Sequence, residues 1–448
     1  MKSKLLLLFF IPFLSFAQTQ LGSQINNPNE NNIKPSKFGT GVAVSADGSI
    51  VAVGAPGNNE DSFVRVFKYI NNDWQQLGND IVNESVLEKV GSSVSLSADG
   101  KTIAIGAVDG GNLDEGVIRI YQFINDKWEK QGEDIVGDGT QFYLGYKVIL
   151  TPNAKFLAAT AYRNNSSKKG TVKVYENISG TWTQRGTSLE GEFNYDAFGY
   201  SIDLSDDGNV LAIANKGRQK VKVFKFSNND WIQIGNDFTD LKTTTREFLS
   251  VSLSSNGNRV AVGSSTGVSI YENNNDSWNL VGNKISYGSV NSISSDGTKI
   301  AISSPYNYTV KNYNLINNTW TQRGIDVSTW RSSNFGESLA LSSDGDTFIA
   351  ASNKAFPRVY SFSSELLSLK KSSLVKSISI YPNPVRTNLN LKVSNSIVIK
   401  EVTLFNLLGK EMFKINNSSI DISLFPKGIY IAKIITNKGS ISKKIIKN

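Results

Sequence analysis

Short runs of alternating apolar and polar residues cover most of the chain, and small polar turns separate them. One run is SSVSLS at 92–97, which an Ala-Asp-Gly turn separates from the apolar run TIAIGA at 102–107. A longer run, GVIRIYQF at 116–123, ends near an Asn-Asp turn, and WEKQGEDI at 128–135 follows it. Period-two alternation between such turns is typical of β-hairpins, and no stretch of residues 18–362 keeps a helical period. The pattern therefore predicts an all-β fold.

This unit of four runs is repeated along the chain. The turn and the run after it read VSADGSIVAVGAP at 44–56 and LSADGKTIAIGAV at 96–108, and five more copies follow at spacings of 40 to 54 residues. A period of this length with four strands in each copy is typical of β-propeller blades. We therefore predict a seven-bladed β-propeller over residues 18–362. The turn glycine or its equivalent lies at positions 48, 100, 154, 208, 257, 297 and 345.

The seventh copy ends after RVYSF at 358–362 and has no fourth run. In the first copy the fourth run reads WQQLGNDI at 74–81, and the N-terminal segment TQLGSQI at 19–25 shares its Gln-Leu-Gly core. We predict that this segment is the outer strand of the seventh blade, where it closes the propeller and covers an exposed sheet edge. The tryptophans that begin the six fourth runs are expected to pack between neighbouring blades. They are Trp74, Trp128, Trp182, Trp231, Trp278 and Trp320.

The first residues have the pattern of a secretory signal peptide. Two lysines precede an apolar run from Leu5 to Leu14, and small residues follow at Ser15 and Ala17. This run is too short to cross a membrane, so we predict a signal peptide over residues 1–17 and no membrane span. The chain has no Cys and no His. Disulfides are therefore excluded, and so is catalysis by Ser-His-Asp or Cys-His groups.

The charge is unevenly distributed between the two ends of the chain. Residues 366–448 contain 14 Lys and Arg against 3 Asp and Glu, whereas the whole chain has a net charge of only +8. The body of the chain is therefore mildly acidic, which argues against nucleic-acid binding. The change in charge marks a domain boundary. We predict a linker at 363–376 and a separate β unit at 377–448.

The repeats carry a motif that resembles a known family. Phe38-Gly39 and Gly54-Ala55-Pro56 lie in the first copy, and Phe198-Gly199 and Phe335-Gly336 repeat the first half. These residues resemble the FG-GAP repeat of integrin α-chain propellers and of many bacterial secreted proteins, and the Ala-Asp-Gly turn resembles that of WD-like repeats. The resemblance covers residues 19–362 and implies a propeller. Integrin-type repeats bind calcium in longer acidic loops; these turns are too short for that, so we expect no metal or other cofactor.

The basic tail carries a second resemblance. Its distinctive residues look like those of the type A C-terminal sorting domain (Por) of the type IX secretion system of Bacteroidetes; a carbohydrate-binding β-sandwich is the alternative. The resemblance implies a small β-sandwich, Sec export followed by outer-membrane passage, and the type IX translocon and sorting machinery as partners. It also implies a secreted or cell-surface location. The residues concerned are Tyr381, Pro382, Asn383, Pro384, Gly409, Gly428 and Tyr430.

Ligand binding is expected at the propeller end that carries the variable loops, because specificity usually lies in loops on a regular scaffold. Aromatic and arginine side chains suit sugar faces and protein hot spots. We therefore predict a non-enzymatic binding or adhesion protein with a glycan or protein ligand. The candidate residues at this end are Tyr143, Tyr162, Arg163, Tyr195, Tyr287, Tyr306, Tyr308, Trp330 and Arg331.

The alternative is a polysaccharide hydrolase or lyase with paired carboxylates at the central channel. Two carboxylates about 5–9 Å apart in a pocket would favour glycosidase chemistry, and a broad aromatic surface without them would favour binding. The candidate carboxylates lie in loops of the early repeats: Asp109, Asp114, Glu115, Glu190, Glu192 and Asp196.

Overall fold

The computed structural model describes most of the chain outside its first 17 residues. The described ranges are 18–26, 37–57, 62–85, 87–161, 167–239, 241, 248–330, 333–362, 378–393, 398–406, 411–415, 417, 419–436 and 439–448. These residues form antiparallel β-sheets and include no helix, so the all-β prediction is confirmed for them. The chain divides into two compact units, Met1–Phe362 and Ser363–Asn448. The predicted signal peptide and linker lie outside the described residues.

The first unit contains 31 strands in the described residues. The first sixteen are β1 (Thr19–Gln20), β2 (Gly41–Val44), β3 (Ile50–Ala55), β4 (Phe63–Ile70), β5 (Asp73–Gln76), β6 (Ile81–Val82), β7 (Val90–Leu96), β8 (Thr102–Ala107), β9 (Val117–Ile124), β10 (Lys127–Lys130), β11 (Ile135–Val136), β12 (Lys147–Leu150), β13 (Phe156–Ala161), β14 (Thr171–Ile178), β15 (Thr181–Gln184) and β16 (Leu189–Glu190). The others are β17 (Phe198–Leu204), β18 (Val210–Asn215), β19 (Lys220–Ser227), β20 (Asp230–Gln233), β21 (Ser250–Leu253), β22 (Arg259–Ser264), β23 (Gly267–Asn274), β24 (Ser277–Leu280), β25 (Val290–Ile293), β26 (Lys299–Ser304), β27 (Thr309–Ile316), β28 (Thr319–Ser328), β29 (Ser338–Leu341), β30 (Thr347–Ser352) and β31 (Ala355–Ser361).

Within the described residues these strands form seven antiparallel sheets, one for each copy of the repeat. Three of the sheets have a fifth, short strand beside the third one, namely β6, β11 and β16. The strand orders are β2-β3-β4-β5, β7-β8-β9-β10, β12-β13-β14-β15, β17-β18-β19-β20, β21-β22-β23-β24, β25-β26-β27-β28 and β29-β30-β31-β1.

The N-terminal segment supplies the fourth strand of the last sheet. Thr19 and Gln20 pair antiparallel with β31. The pairing continues beyond the strand, because the amide of Leu21 donates to the carbonyl of Val359 at 2.8 Å. Ile25 is buried in a cluster that also contains residues of the first sheet. The predicted pairing of the N-terminal segment with the seventh copy is therefore present.

One tryptophan contact is repeated between neighbouring sheets. The indole N–H of Trp128 donates to the carbonyl of Leu77 on the preceding sheet at 2.8 Å, and Trp74 donates in the same way to Leu21 at 2.8 Å. The second contact joins the N-terminal strand of the last sheet to the first sheet. These side chains therefore fill the seams between sheets, as the repeat pattern predicts. Equivalent bonds are made by Trp231, Trp278 and Trp320.

Glycines of the two motif halves lie against each other across the seams. Gly91 and Gly145 take the position of Gly39 in the second and third copies, and Gly106 takes that of Gly54 in the second copy. A Cβ on Gly54 would lie 2.1 Å from the carbonyl oxygen of Gly91 on the next sheet. A Cβ on Gly106 would lie 2.0 Å from the carbonyl oxygen of Gly145 on the sheet after that. No side chain fits at these distances. The close approach of neighbouring backbones is the physical reason for glycine in both halves of the motif.

The first strands of the seven sheets lie side by side. They contact one another in chain order (β2, β7, β12, β17, β21, β25 and β29), and β29 also contacts β2. Residues of all seven strands line a cavity of about 310 Å³, which we call the channel. Because successive strands of each sheet are antiparallel, the Ala-Asp-Gly turns lie at one end of the sheets. The loops between second and third strands and the connections between sheets lie at the other, which we call the loop end.

The second unit has two sheets with orders β32-β33-β36 and β35-β34-β37-β38. Their inward-facing residues form one hydrophobic core, in which Val385, Leu389, Val402, Ile434 and Ile445 are fully buried. Gly409 lies outside the described residues. The strands are β32 (Ile378–Tyr381), β33 (Asn388–Val393), β34 (Ile399–Asn406), β35 (Glu411–Ile415), β36 (Ser419–Asp421), β37 (Gly428–Thr436) and β38 (Gly439–Lys447).

Candidate functional site

Three of the predicted ligand-binding aromatics are exposed at the loop end. The exposed fraction is 66% for Tyr195, 43% for Tyr306 and 63% for Trp330. Monomeric proteins usually cover side chains of this size, since burial of an aromatic ring is strongly favourable. These three residues, which we call the loop-end aromatics, are therefore candidates for ligand contact.

Other predicted residues at this end are held by the fold. Tyr308 is half-buried against the core cluster of the last two sheets, and its carbonyl accepts the Thr329 amide at 3.2 Å. Tyr143 is half-buried, and its amide donates to the Asp114 carbonyl at 3.1 Å. The Tyr287 hydroxyl donates to a backbone carbonyl at 3.1 Å. These tyrosines support loops, while Tyr162, Arg163 and Arg331 lie outside the described residues.

Several of the six candidate carboxylates form ion pairs. Asp196 is buried and accepts a hydrogen bond from Arg218 at 2.8 Å, and Glu192 accepts one from Lys222 at 2.7 Å. Asp109 pairs with a lysine, and Glu115 accepts a backbone amide of its own loop at 2.8 Å. These contacts attach loops to strands. Glu190 and Glu192 border a cavity of about 200 Å³.

A cavity of about 160 Å³ lies where the channel reaches the loop end. It shares Thr40, Lys147 and Glu337 with the channel. We call it the channel mouth. The side chains that matter for its chemistry are Tyr146, Lys147, Tyr200, Phe248, Glu337 and Asn353. None of these residues was among the sequence-based candidates.

The repeat glycine delivers these side chains to the channel mouth. Gly145 and Gly199 have φ of +95° and +81°, a conformation that L side chains rarely adopt. A Cβ on Gly199 would also lie 2.8 Å from a valine of the preceding sheet. The chain therefore bends at this position, and the next residue lines the mouth: Tyr146, Tyr200 and, after Gly336, Glu337. The residue after the motif glycine is thus a sequence signal that could have identified the site.

One side of the channel mouth is aromatic and cationic. The rings of Tyr146 and Tyr200, on neighbouring sheets, have centroids 6.4 Å apart. The Lys147 ammonium lies 5.8 Å from the centroid of the Tyr146 ring. The Lys216 ammonium lies 4.3 Å from that of Tyr200 and 3.2 Å from its hydroxyl. Such cation–π contacts hold Lys147 beside Tyr146 in the mouth and Lys216 beside Tyr200, a lining residue.

The opposite side carries hydrogen-bond acceptors. Oε2 of Glu337 and Oδ1 of Asn353 are buried and have no hydrogen-bond partner among the described residues. Burial raises the pKa of Glu337, although Lys147 and Lys354 act in the opposite direction. The Lys147 side chain is exposed, but desolvation by the walls of the concave mouth lowers its pKa, which Glu337 partly offsets. An acceptor without a partner costs free energy, so this side is suited to a ligand that donates hydrogen bonds.

Asp203 is a second carboxylate of the channel wall. It accepts the amides of Leu253 and Leu204 at 2.6 and 2.9 Å, and the hydroxyl of Ser252 at 3.2 Å. Burial raises its pKa from 3.8 to about 6, despite the opposing effect of these hydrogen bonds. The folded chain therefore retains this proton more strongly than the unfolded chain does.

The Asp203 contribution to stability is expected to be lost as the pH rises from about 4 to about 6. Folding raises this pKa because the folded state favours the protonated carboxyl group. The contribution to stability is therefore fully present below pH 3.8. Asp203→Asn should remove this dependence, which amounts to about 1 to 3 kcal/mol between pH 4 and pH 7. Urea denaturation between pH 4 and 7 measures this pH dependence of the free energy of unfolding. The control is Asp126→Asn, because Asp126 is exposed. Equal pH profiles for wild type and Asp203→Asn would refute the effect.

The residues proposed for sorting take different positions in the second unit. The side-chain amide of Asn383 donates to the carbonyl of Lys444 at 2.8 Å, and its oxygen accepts the amide of Ile446 at 2.8 Å. Tyr430 is buried and its hydroxyl donates to the carbonyl of Pro426 at 2.8 Å. These two residues stabilise the fold. Tyr381, Pro382, Pro384 and Gly428 are exposed.

These observations define an all-β protein made of repeated antiparallel sheets and a separate small β unit. Residues 379–448 match the family model described as a secretion system C-terminal sorting domain. This match confirms the predicted sorting domain and implies a secreted or cell-surface protein that the type IX secretion system exports. A comparison with curated proteins gave no match to the chain.

The residues that the structure describes lack two further features. They contain no helix long and apolar enough to cross a membrane. They also contain no group of three or more Asp or Glu side chains arranged to hold a metal ion.

Proposed function

We propose that the chain is a non-enzymatic binding or adhesion protein whose first unit is a seven-bladed β-propeller with FG-GAP-like repeats. It acts outside the cell, either released or attached to the surface, after export through the type IX machinery. Its ligand is an extracellular glycan or protein. The observation that carries the proposal is the exposure of the loop-end aromatics on a regular scaffold of sheets.

Three observations support the propeller. The first strands contact one another in chain order, and the seventh contacts the first. All seven line the channel. The tryptophan contact between neighbouring sheets recurs between the N-terminal strand and the first sheet, at Trp74 and Leu21. A propeller closed by its N-terminal strand accounts for all three.

The exposed aromatics support a binding role because large rings supply contact area at little cost in conformational entropy. Such residues dominate the binding energy of many interfaces. Tyr195 belongs to the connection after the third sheet, and Tyr306 and Trp330 belong to the sixth sheet and the connection after it. They therefore lie on loops, where ligand specificity usually resides.

Trp330→Ala and Tyr306→Ala are expected to weaken ligand binding by about tenfold or more, the usual size of a hot-spot effect. The measurement is a screen of glycan and protein arrays with the chain from residue 18 onward, followed by titration of any hit. Tyr381→Ala, an exposed aromatic of the second unit, is the matched control and should bind normally. Full retention of binding by both loop-end variants would place the site elsewhere.

The alternative function remains a polysaccharide hydrolase or lyase. It is favoured by one observation: Asp203 and Glu337 line the same channel, and burial raises the pKa of both. Raised pKa values are typical of general acids. Asp203 already accepts three hydrogen bonds from the fold, which favours a structural role. Turnover of a polysaccharide panel that is abolished in Glu337→Gln would establish the enzyme and refute the binding proposal.

A further inference from the structure

The channel mouth contains buried hydrogen-bond acceptors that have no donor among the described residues. Glu337 enters from the start of the last sheet, and Asn353 from the turn between its second and third strands. One oxygen of each side chain is buried without a hydrogen-bond partner among the described residues. Hydroxyl groups of a ligand would supply the missing donors. This requirement distinguishes a polyol from a simple anion.

Lys147 and Glu337 are the charged residues that line the mouth, and two further lysines lie near its walls. Lys147 and Lys216 lie on the aromatic side, and Lys354 acts on Glu337 from the other. Lys147 has no ion-pair partner among the residues that the structure describes. A carboxylate close to Lys147 would stabilise its charged form. The charge therefore favours an anionic ligand.

The size and lining of the mouth limit the ligand further. A volume of about 160 Å³ far exceeds the space that one water needs, and it lies below the roughly 300 Å³ at which typical drug-sized pockets begin. The tilted rings of Tyr146 and Tyr200 offer apolar surface beside the lysines. One small ring with a polar edge and an apolar face fits these conditions.

We propose that the channel mouth binds a single sugar ring that bears a carboxylate, as in a terminal uronic acid of an acidic polysaccharide. The carboxylate contacts Lys147 and Lys216, the ring lies against Tyr146 and Tyr200, and hydroxyls donate to Glu337 and Asn353. This inference rests on the proposed binding function. It names the ligand class and a site other than the loop-end aromatics.

The test titrates the chain from residue 18 onward with three probes by NMR or calorimetry. D-glucuronate has both the ring and the carboxylate, D-glucose has only the ring, and acetate has only the carboxylate. We expect glucuronate to bind at least about tenfold more tightly than either of the others, because both sets of protein groups are then satisfied. Equal binding of glucose or of acetate overturns the proposal.

Variants then locate the site. Lys147→Met keeps the length of the side chain and removes its charge, so it should weaken glucuronate binding about tenfold and leave the weak glucose binding unchanged. Glu337→Gln should weaken both sugars. Lys155→Met, at the opposite end of the sheets, is the matched control. Unchanged glucuronate affinity in Lys147→Met overturns the proposal, and unchanged thermal unfolding excludes a folding defect.

The loop-end variants separate this inference from the function on which it rests. Glucuronate binding should survive Trp330→Ala, since that side chain lies outside the mouth. If an array ligand binds through Trp330 and glucuronate does not bind, the binding function stands and the uronic-acid site is refuted. If glucuronate binds and Lys147→Met abolishes that binding, the site is established even where the array gives no protein ligand.

Discussion

A chain that begins at residue 27 is expected to be less stable than one that begins at residue 18 by about 5 kcal/mol or more. Burial of Ile25 contributes about 1.5–3 kcal/mol, the partly buried Leu21 contributes less, and the hydrogen bonds of the segment contribute about 1 kcal/mol each. Such a loss is a large share of the stability of a typical domain. The deletion also exposes the edge of β31 and removes the acceptor of the Trp74 indole, so we expect aggregation as well.

Urea denaturation and light scattering of the two chains measure this effect. A synthetic peptide of residues 18–26 added to the shortened chain should restore part of the lost stability, because the segment pairs with β31 as a separate strand. Gln20→Ala in the longer chain is the control, since this side chain is exposed. Equal denaturation midpoints for the two chains would show that the N-terminal strand does not contribute to stability.

Glu88→Ala is expected to reduce the free energy of unfolding by about 3 kcal/mol, because the buried Arg119 loses its bidentate partner while it keeps ion pairs with Asp134 and Glu84. Glu88 lies in the connection between the first two sheets, and Arg119 lies on β9. Both side chains are buried, and the Arg119 guanidinium donates two hydrogen bonds to the Glu88 carboxylate, at 2.8 and 2.9 Å. Glu88 also accepts the Glu84 amide at 2.9 Å and the Ser85 hydroxyl at 2.8 Å.

The pH dependence of this variant follows from the same contacts. Burial alone would raise the pKa of Glu88, but the bonds from Arg119, Ser85 and the Glu84 amide outweigh it and lower the pKa from 4.5 to about 2. The contribution to stability is therefore present above about pH 5 and lost as the pH falls towards 2. Glu88→Ala should show a shallower acid transition than wild type.

Two variants make the Glu88 test specific. Glu129→Ala, an exposed carboxylate of β10, should change stability by less than about 0.5 kcal/mol. The double variant Glu88→Gln, Arg119→Met should recover part of the loss, because it removes the buried guanidinium, and the Gln oxygen can still accept a hydrogen bond from the Glu84 amide or the Ser85 hydroxyl. A Glu88→Ala chain as stable as wild type would refute the buried-pair account.

The repeats made most of the fold predictable. Strand pairing is local within each copy, so the alternation at 92–97 and the Ala-Asp-Gly turn were enough to predict a hairpin there. The missing fourth run of the seventh copy and the orphan segment at 19–25 predicted a pairing across the length of the chain. Trp330 lies outside the repeat pattern and is exposed, and its part in ligand binding stays a prediction.

The candidate site was less predictable for a physical reason. Tyr306 and Tyr308 are two residues apart in one loop, yet one is exposed and the other packs on the core. The conformation of the loop decides which of the two tyrosines is exposed, and the residue type alone does not predict it. The residues of the channel mouth come from separate copies of the repeat, so only the arrangement of the sheets brings Tyr146 near Tyr200.

The sequence by itself determined the β-strands, their grouping into copies, the role of the N-terminal segment and the presence of a sorting domain. Each depends on periodicity or on a local motif, which the chain displays directly. The tertiary structure alone decided which aromatics are exposed, that Glu88 is buried against Arg119, and that Glu337 and Asn353 share a cavity with Lys147. Burial and desolvation depend on all neighbours of a group, and residues far apart in the sequence supply those neighbours.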